Sequence, residues 1–138
     1  MKKIFTQREP IEIGLILAEN SMPHDGSDVV FIGKVRNNSR SKEVLFIDYE
    51  IYDSMAIKEM SKIADEAIEK WNLSRVIIIH RYGRVNIGEA SIVIITSSPH
   101  REESYSGSRY IIDEIKKRVP IWKKEYYTDG SEWIGDRN

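Results

Sequence analysis

Hydrophobic and polar residues alternate with two different periods along this chain. KIFTQ near the start suits a short strand. In PIEIGLILAEN, Pro10 suits a first helical turn, and the helical period places Ile11, Leu15 and Ala18 on one side. NSMPHDGSD carries Asn, Pro, Gly and Ser in the pattern of a loop. DVVFIGKVR has period two, putting Val30, Ile32, Lys34 and Arg36 on one face that turns basic at its end. After the polar NNSRSK, the strand EVLFIDYEIY aligns Leu45, Ile47, Tyr49 and Ile51.

DSMAIKEMSKIADEAIEKW is the clearest helix. Asp53 is placed to cap it, and Ala56, Met60, Ile63, Ala64, Ala67, Ile68 and Trp71 recur at helical spacing. RVIIIHRYG and ASIVIITSS are β-branched runs that predict buried strands joined by a turn around VNIGE. A second long helix is predicted from Ser98-Pro99 through HREESYSGSRYIIDEIKKR, with Pro120 as its stop. IWKKEYY and SEWIG then read as short strands around TDG. Strands and helices interleave irregularly, which predicts an α+β protein rather than a βαβ repeat, with residues 1–138 as one domain.

Composition narrows the chemistry. The net charge of −1 over 138 residues makes the chain no polycation, so anion binding must come from local clusters. There is no cysteine, which excludes disulfides, thiolate metal sites, thiol nucleophiles and sulfur carried on this chain. Three histidines spread along the sequence do not make a metal motif. The start, MKKIFTQREP, lacks an apolar signal core, and no apolar run reaches the roughly 20 residues that span a bilayer. The expected compartment is the cytoplasm.

The basic groups fall in four places. Lys34 and Arg36 end a strand. His80 and Arg81 end a buried one, where a hydrogen-bonded structural role is the plainer reading. His100 and Arg101 open a helix whose free N–H groups favour an anion. Lys116, Lys117, Arg118, Lys123 and Lys124 crowd into nine residues around Pro120. A chain that reverses at Pro120 brings Lys116 and Lys123 to one side of a cleft, with Trp122 and Tyr126 as candidates to exclude water. A desolvated lysine beside another cation has a lowered pKa and can act as a base or nucleophile. From the residues alone, a solvated charge run stays open.

Six segments in order, GKVRNNSR, YEIYDSMA, HRYGRVNIGEASIVI, SSPHREESY, DEIKKRVPIWKKE and DGSEW, closely resemble the large, catalytic subunit of molybdopterin synthase, over roughly residues 3–137. The resemblance implies an α/β-hammerhead fold with a mostly antiparallel sheet and flanking helices. It implies a sulfurtransferase that builds the dithiolene of molybdopterin on cyclic pyranopterin monophosphate. The sulfur comes from the C-terminal Gly-Gly thiocarboxylate of a small ubiquitin-like partner, in a heterotetramer built on a homodimer of large subunits. No cofactor, nucleic acid or membrane is implied.

By position, the resemblance implies that Lys116 and Lys123 are the catalytic lysines. Lys123 is assigned to acid/base work and Lys116 to the partner's terminal carbonyl. Arg36, His100, Arg101 and Arg137 match substrate-binding positions, and Lys34, Lys124 and Glu125 lie in matching segments. SYSGSR departs from the pattern at Tyr105, Ser106 and Gly107. A mid-helix glycine costs about 1 kcal/mol against alanine, so the helix is expected to start late or bend there. If it is continuous, His100 and Lys116 stand about 24 Å apart. His100 and Arg101 are then expected to serve a neighbouring subunit. The alternative is a non-enzymatic basic groove that holds an acidic tail or nucleotide. Single-stranded nucleic-acid binding, a third reading, conflicts with the near-neutral charge.

Overall fold

In the computed structural model, which describes residues 1–136, the chain folds as two sheets that meet at one end of a helical layer. The first sheet takes β1 (Lys2–Gln7), β2 (Ser27–Lys34), β5 (Arg75–Arg81) and β7 (Ala90–Ser98) in the order β1-β5-β7-β2. Only β1 runs parallel to its neighbour, β5; β5–β7 and β7–β2 are antiparallel. β5 and β7 are central and buried along nearly their whole lengths. That explains why RVIIIHR and SIVIIT are continuously apolar rather than alternating.

Each face of this sheet has its own cover. Val76, Ile78, Ile92 and Ile94 pack against α2 (Asp53–Trp71) and α3 (Arg101–Arg118), which contribute Met60, Ile63, Ala64, Ala67, Ile111 and Ile115. On the other face Ile77, Ile79, Val93 and Ile95 are covered by Ile11 and by α1 (Ile13–Glu19), through Ile13, Ile16 and Leu17. The stripe on α2 is as the helical period predicts. That on α1 is not: the helix begins after Pro10, and Leu15 is exposed. Asp53 is the first residue of α2 rather than its cap, which is Tyr52. A carboxylate there still favours the helix dipole.

The second sheet is built on β4 (Lys42–Ile51). It pairs with β3 (Asn38–Ser39), β6 (Gly83–Asn86) and β8 (Ile121–Tyr127), and β8 pairs with β9 (Glu132–Asp136), all antiparallel. β6 corrects the expectation of a simple turn between β5 and β7, because its edge is claimed by β4. An irregularity between Val44 and Phe46 shifts the alternation of β4, so Val44 is buried and Leu45 exposed. Local periodicity cannot anticipate such a break. The mixture of helices with largely antiparallel sheets is the α+β class expected.

α3 neither starts late nor bends into a second element; it runs unbroken through Gly107. The glycine answers to packing instead. A Cβ at Gly107 would lie 2.7 Å from Leu73 Cδ1, so its absence lets the helix close on the α2–β5 connection. The start of α3 is fixed in a similar way, because Gly26 donates its N–H to the Ser98 carbonyl and lies against Pro99. A Cβ on Gly26 would run into the Pro99 carbonyl, and backbone cannot swing aside. Gly26→Ala is expected to destabilise the protein by about 1–3 kcal/mol, measured as a shift in the urea midpoint at constant slope.

Candidate functional site

α3 ends at a reversal. Val119 is fully buried, its N–H closes the last helical turn on Ile115 O at 3.1 Å, and its carbonyl accepts from Ile121 N at 2.9 Å. Pro120 has no N–H to continue the helix. The chain enters β8 at once, and its odd-numbered residues, Ile121, Lys123, Glu125 and Tyr127, turn inward. Lys116 from the helix and Lys123 from the strand thus line one cavity of about 620 Å³, at the junction of the two sheets and α3. Lys34, Arg36 and Glu125 line it too. Phe31, Ile92, Ile112 and Ile115 supply apolar wall.

The two lysines differ in environment. Lys116 is exposed at the mouth. Lys123 keeps only 15% of its side chain exposed and stands 3.7 Å from Glu125. Burial lowers its pKa below the ordinary lysine value, and the positive charges of Lys116 and Arg36 add to that. Glu125 opposes the shift without reversing it. Burial alone would raise the Glu125 carboxyl, but hydrogen bonds from Tyr127 and Ser39 and the charges of Lys123 and Arg40 hold it below the usual value. The Tyr127 hydroxyl donates to it at 2.6 Å. This is a lysine with a reduced proton affinity beside a carboxylate that stays ionised.

Other sequence candidates fall elsewhere. Lys124 points to the opposite face of β8, where it pairs with Glu132 at 3.3 Å and lies over Tyr126. Trp122 and Tyr126 share that outer face, so they do not shield Lys123. Tyr49, its direct cross-strand neighbour, and Trp133 line the cavity instead. His100 caps α3 and Arg101 is its first residue, at the end of the helix away from Lys116, and neither lines the cavity. Arg137 lies outside the described residues.

Within the charge run, Lys117 is solvated, with 71% of its side chain exposed. Arg118 is not. It holds Glu59 at 2.8 Å, Glu66 at 2.7 and 3.0 Å, and Glu114 at 3.2 Å, tying the helical turn that carries Lys116 to α2. Hydrogen bonds from Arg118 and Tyr110 pull the Glu66 carboxyl down to about 2. A depressed carboxylate contributes stability above its unfolded pKa, and loses it as pH falls through the folded value. Because these side chains are partly exposed, Arg118→Ala is expected to cost on the order of 1 kcal/mol. In urea titrations from neutral pH down to about 2, the wild type should lose that increment on the acid side and the variant should not.

Several cavity residues had no sequence signal. Arg40 sits with Ser41 in the turn between β3 and β4, both at positive φ (53° and 62°), and its guanidinium lies 3.6 Å from the centre of the Trp133 ring. Tyr49, Ser91 and His80 form the inner wall. His80 appeared in the sequence only as a strand-end residue. Its partner Arg81 is structural, binding Glu89 and the Arg8 carbonyl. Among the described residues no group of three or more His, Asp or Glu is placed to hold a metal ion.

Fold and site together define an α+β protein with a half-enclosed basic cavity, in which one lysine is desolvated and a second guards the entrance. A family model described as MoaE protein matches residues 6–118. The molybdopterin synthase catalytic subunit of Halalkalibacterium halodurans is 43% identical over 136 residues, covering 99% of this chain and 87% of that protein. The crystal structure of molybdopterin synthase from Staphylococcus aureus superposes with a TM-score of 0.89 at 35% identity, over 96% of each chain. The solved complex of subunits 1 and 2 of molybdopterin-converting factor from Helicobacter pylori shares the fold, with a TM-score of 0.75 at 20% identity over 95% of this chain and 87% of that one. The chain belongs to the MoaE family. It is therefore an enzyme of molybdenum-cofactor biosynthesis, working as the catalytic subunit of a molybdopterin synthase.

Proposed function

We propose that this chain transfers sulfur from the C-terminal thiocarboxylate of a small ubiquitin-like partner to cyclic pyranopterin monophosphate, in the cytoplasm. The observation that carries the reading is the meeting of Lys116 and Lys123 in one cavity, with Lys123 desolvated and lowered in pKa. A lysine poised in this way exchanges protons during ring opening and sulfur addition. Lys116, exposed at the mouth, meets the entering tail and stabilises the oxyanion that develops at its terminal carbonyl. Lys34, Arg36 and Arg40 supply positive charge for a phosphate. The chain has no cysteine, so the sulfur has to arrive from outside.

The working unit in this reading is a homodimer of this chain with one small subunit at each end. His100 and Arg101 serve the cavity of the neighbouring copy. The unbroken α3, with His100 at one end and Lys116 at the other, supports that assignment. Lys124, which faces away from the cavity, is left without a role in catalysis, and Arg137 keeps the substrate-binding role that the resemblance implies. The direct test mixes the protein with thiocarboxylated partner and the cyclic pterin and looks for a dithiolene product. No product from an authentic partner would defeat the reading in favour of a basic groove that merely holds an acidic tail.

A further inference from the structure

The inner end of the cavity differs from its mouth. Lys34, Arg36, Arg40 and Lys116 at the mouth are charged and exposed. The inner wall is polar, and the one lysine beside it, Lys123, is buried and faces Glu125. His80 is 5% exposed and ends the helix-facing row of β5 after Val76 and Ile78. Its Nδ1 lies 2.7 Å from the Arg81 carbonyl, which can only accept, so Nδ1 carries the proton. Nε2 is then an acceptor, and among the described residues no group donates to it. Burial holds the ring neutral by lowering its pKa to about 4, against a smaller opposing effect of the Arg81 carbonyl.

Two neighbours complete the wall. Tyr49 meets the His80 ring edge-on, with centroids 5.3 Å apart. Burial pushes its phenol pKa up, so the hydroxyl keeps its proton, and Ser91 lines the same wall. Ser91 donates to the Gly33 carbonyl at 3.2 Å. Ser91 is also the residue skipped in the β2–β7 register, where Gly33 faces Ile92 and Lys34 faces Ala90. Bulges re-aim side chains beside sites in this way. The wall therefore offers acceptor atoms of fixed tautomer in a buried setting, where an unmet polar group is costly and a donor on the ligand is rewarded.

We propose that His80 Nε2 is a positioning group that accepts a hydrogen bond from the N–H-bearing edge of a pterin-type heterocycle, so that the ring enters first and its phosphate stays at the basic mouth. The inference rests on the functional reading above and adds an orientation to it. A phosphate is disfavoured at the inner place, because the one lysine beside it, Lys123, is buried and already faces Glu125. A purely apolar ring would leave Nε2 unmet.

The test titrates the full-length chain with unsubstituted pterin, with its 2-dimethylamino-3-methyl derivative, which lacks those N–H donors, and with inorganic phosphate. The wild type should prefer pterin over the donor-free derivative roughly tenfold, about the effect of one buried hydrogen bond. His80→Asn keeps a donor for the Arg81 carbonyl but is too short to place an acceptor where Nε2 lies, so the preference should vanish while phosphate affinity holds. His80→Gln restores an acceptor near Nε2 and should recover the preference. Equal affinities in the wild type, or a preference unchanged in His80→Asn, overturn the proposal. If His80→Asn fails to fold, the wild-type comparison and His80→Gln decide alone, and loss of preference in His80→Gln overturns it. Failure of sulfur transfer with intact pterin discrimination would count against the functional reading instead.

Discussion

Lys123→Arg is expected to lower dithiolene formation by on the order of 10²–10⁴-fold while leaving the affinity for the small partner within a few-fold of wild type. Arginine keeps the charge beside Glu125, but it does not release its proton near neutral pH. The proposed chemistry needs a group that does, and burial and the nearby Lys116 and Arg36 depress the Lys123 pKa. For a base the sign is direct. Activity should rise with pH as Lys123 loses its proton, with a midpoint below the ordinary lysine value of 10.5. Single-turnover rates across pH, for wild type and Lys123→Arg, give both results together. If arginine sustains turnover, the cavity needs only positive charge at this position, and the acid/base role of Lys123 is overturned.

The second large effect concerns the dimer. His100→Ala and Lys123→Arg should each be nearly inactive as homodimers. When they are unfolded together and reassembled in equal amounts, about one quarter of wild-type activity should return. Random pairing in a two-fold dimer makes about half of the dimers mixed. In each mixed dimer one cavity has an intact Lys123 from its own chain and an intact His100 from the other. If His100 served the cavity of its own chain, every cavity would lack one residue and no activity would return. The lengths of the two readings differ enough for this to be decisive, since α3 separates His100 from Lys116 by its whole span.

Much of the scaffold was legible because its signals are local. The stripe on α2, the β-branched runs of β5 and β7, the stop at Pro120 and the strands β8 and β9 follow from spacing and side-chain shape alone. The misread places are those where another part of the chain sets the outcome. β6 is a strand because β4 offers it an edge, and Leu45 is exposed because the β4 ladder slips beside it. Gly107 looked like a helix weakness, yet Leu73 occupies the space its side chain would need.

The same division runs through the site. The residues around Pro120 contain the two lysines and the turn that separates them, and the family resemblance over the whole chain singled out Lys116 and Lys123 from their neighbours. Nothing in KKRVPIWKKE distinguishes Arg118, locked between three glutamates, from Lys117, left in water. Nor does it show that Lys123 turns inward while Lys124 turns out, since a strand's facing depends on what its sheet packs against. Spacing and side-chain shape in one chain were enough for most of the elements, and composition for the absence of any thiol, while the resemblance supplied the two candidate lysines. Which lysine is desolvated, and that His80, Tyr49 and Ser91 share its cavity, depended on contacts between strands far apart in sequence. A pKa is set by the dielectric and the charges around a group, and only the folded chain assembles those.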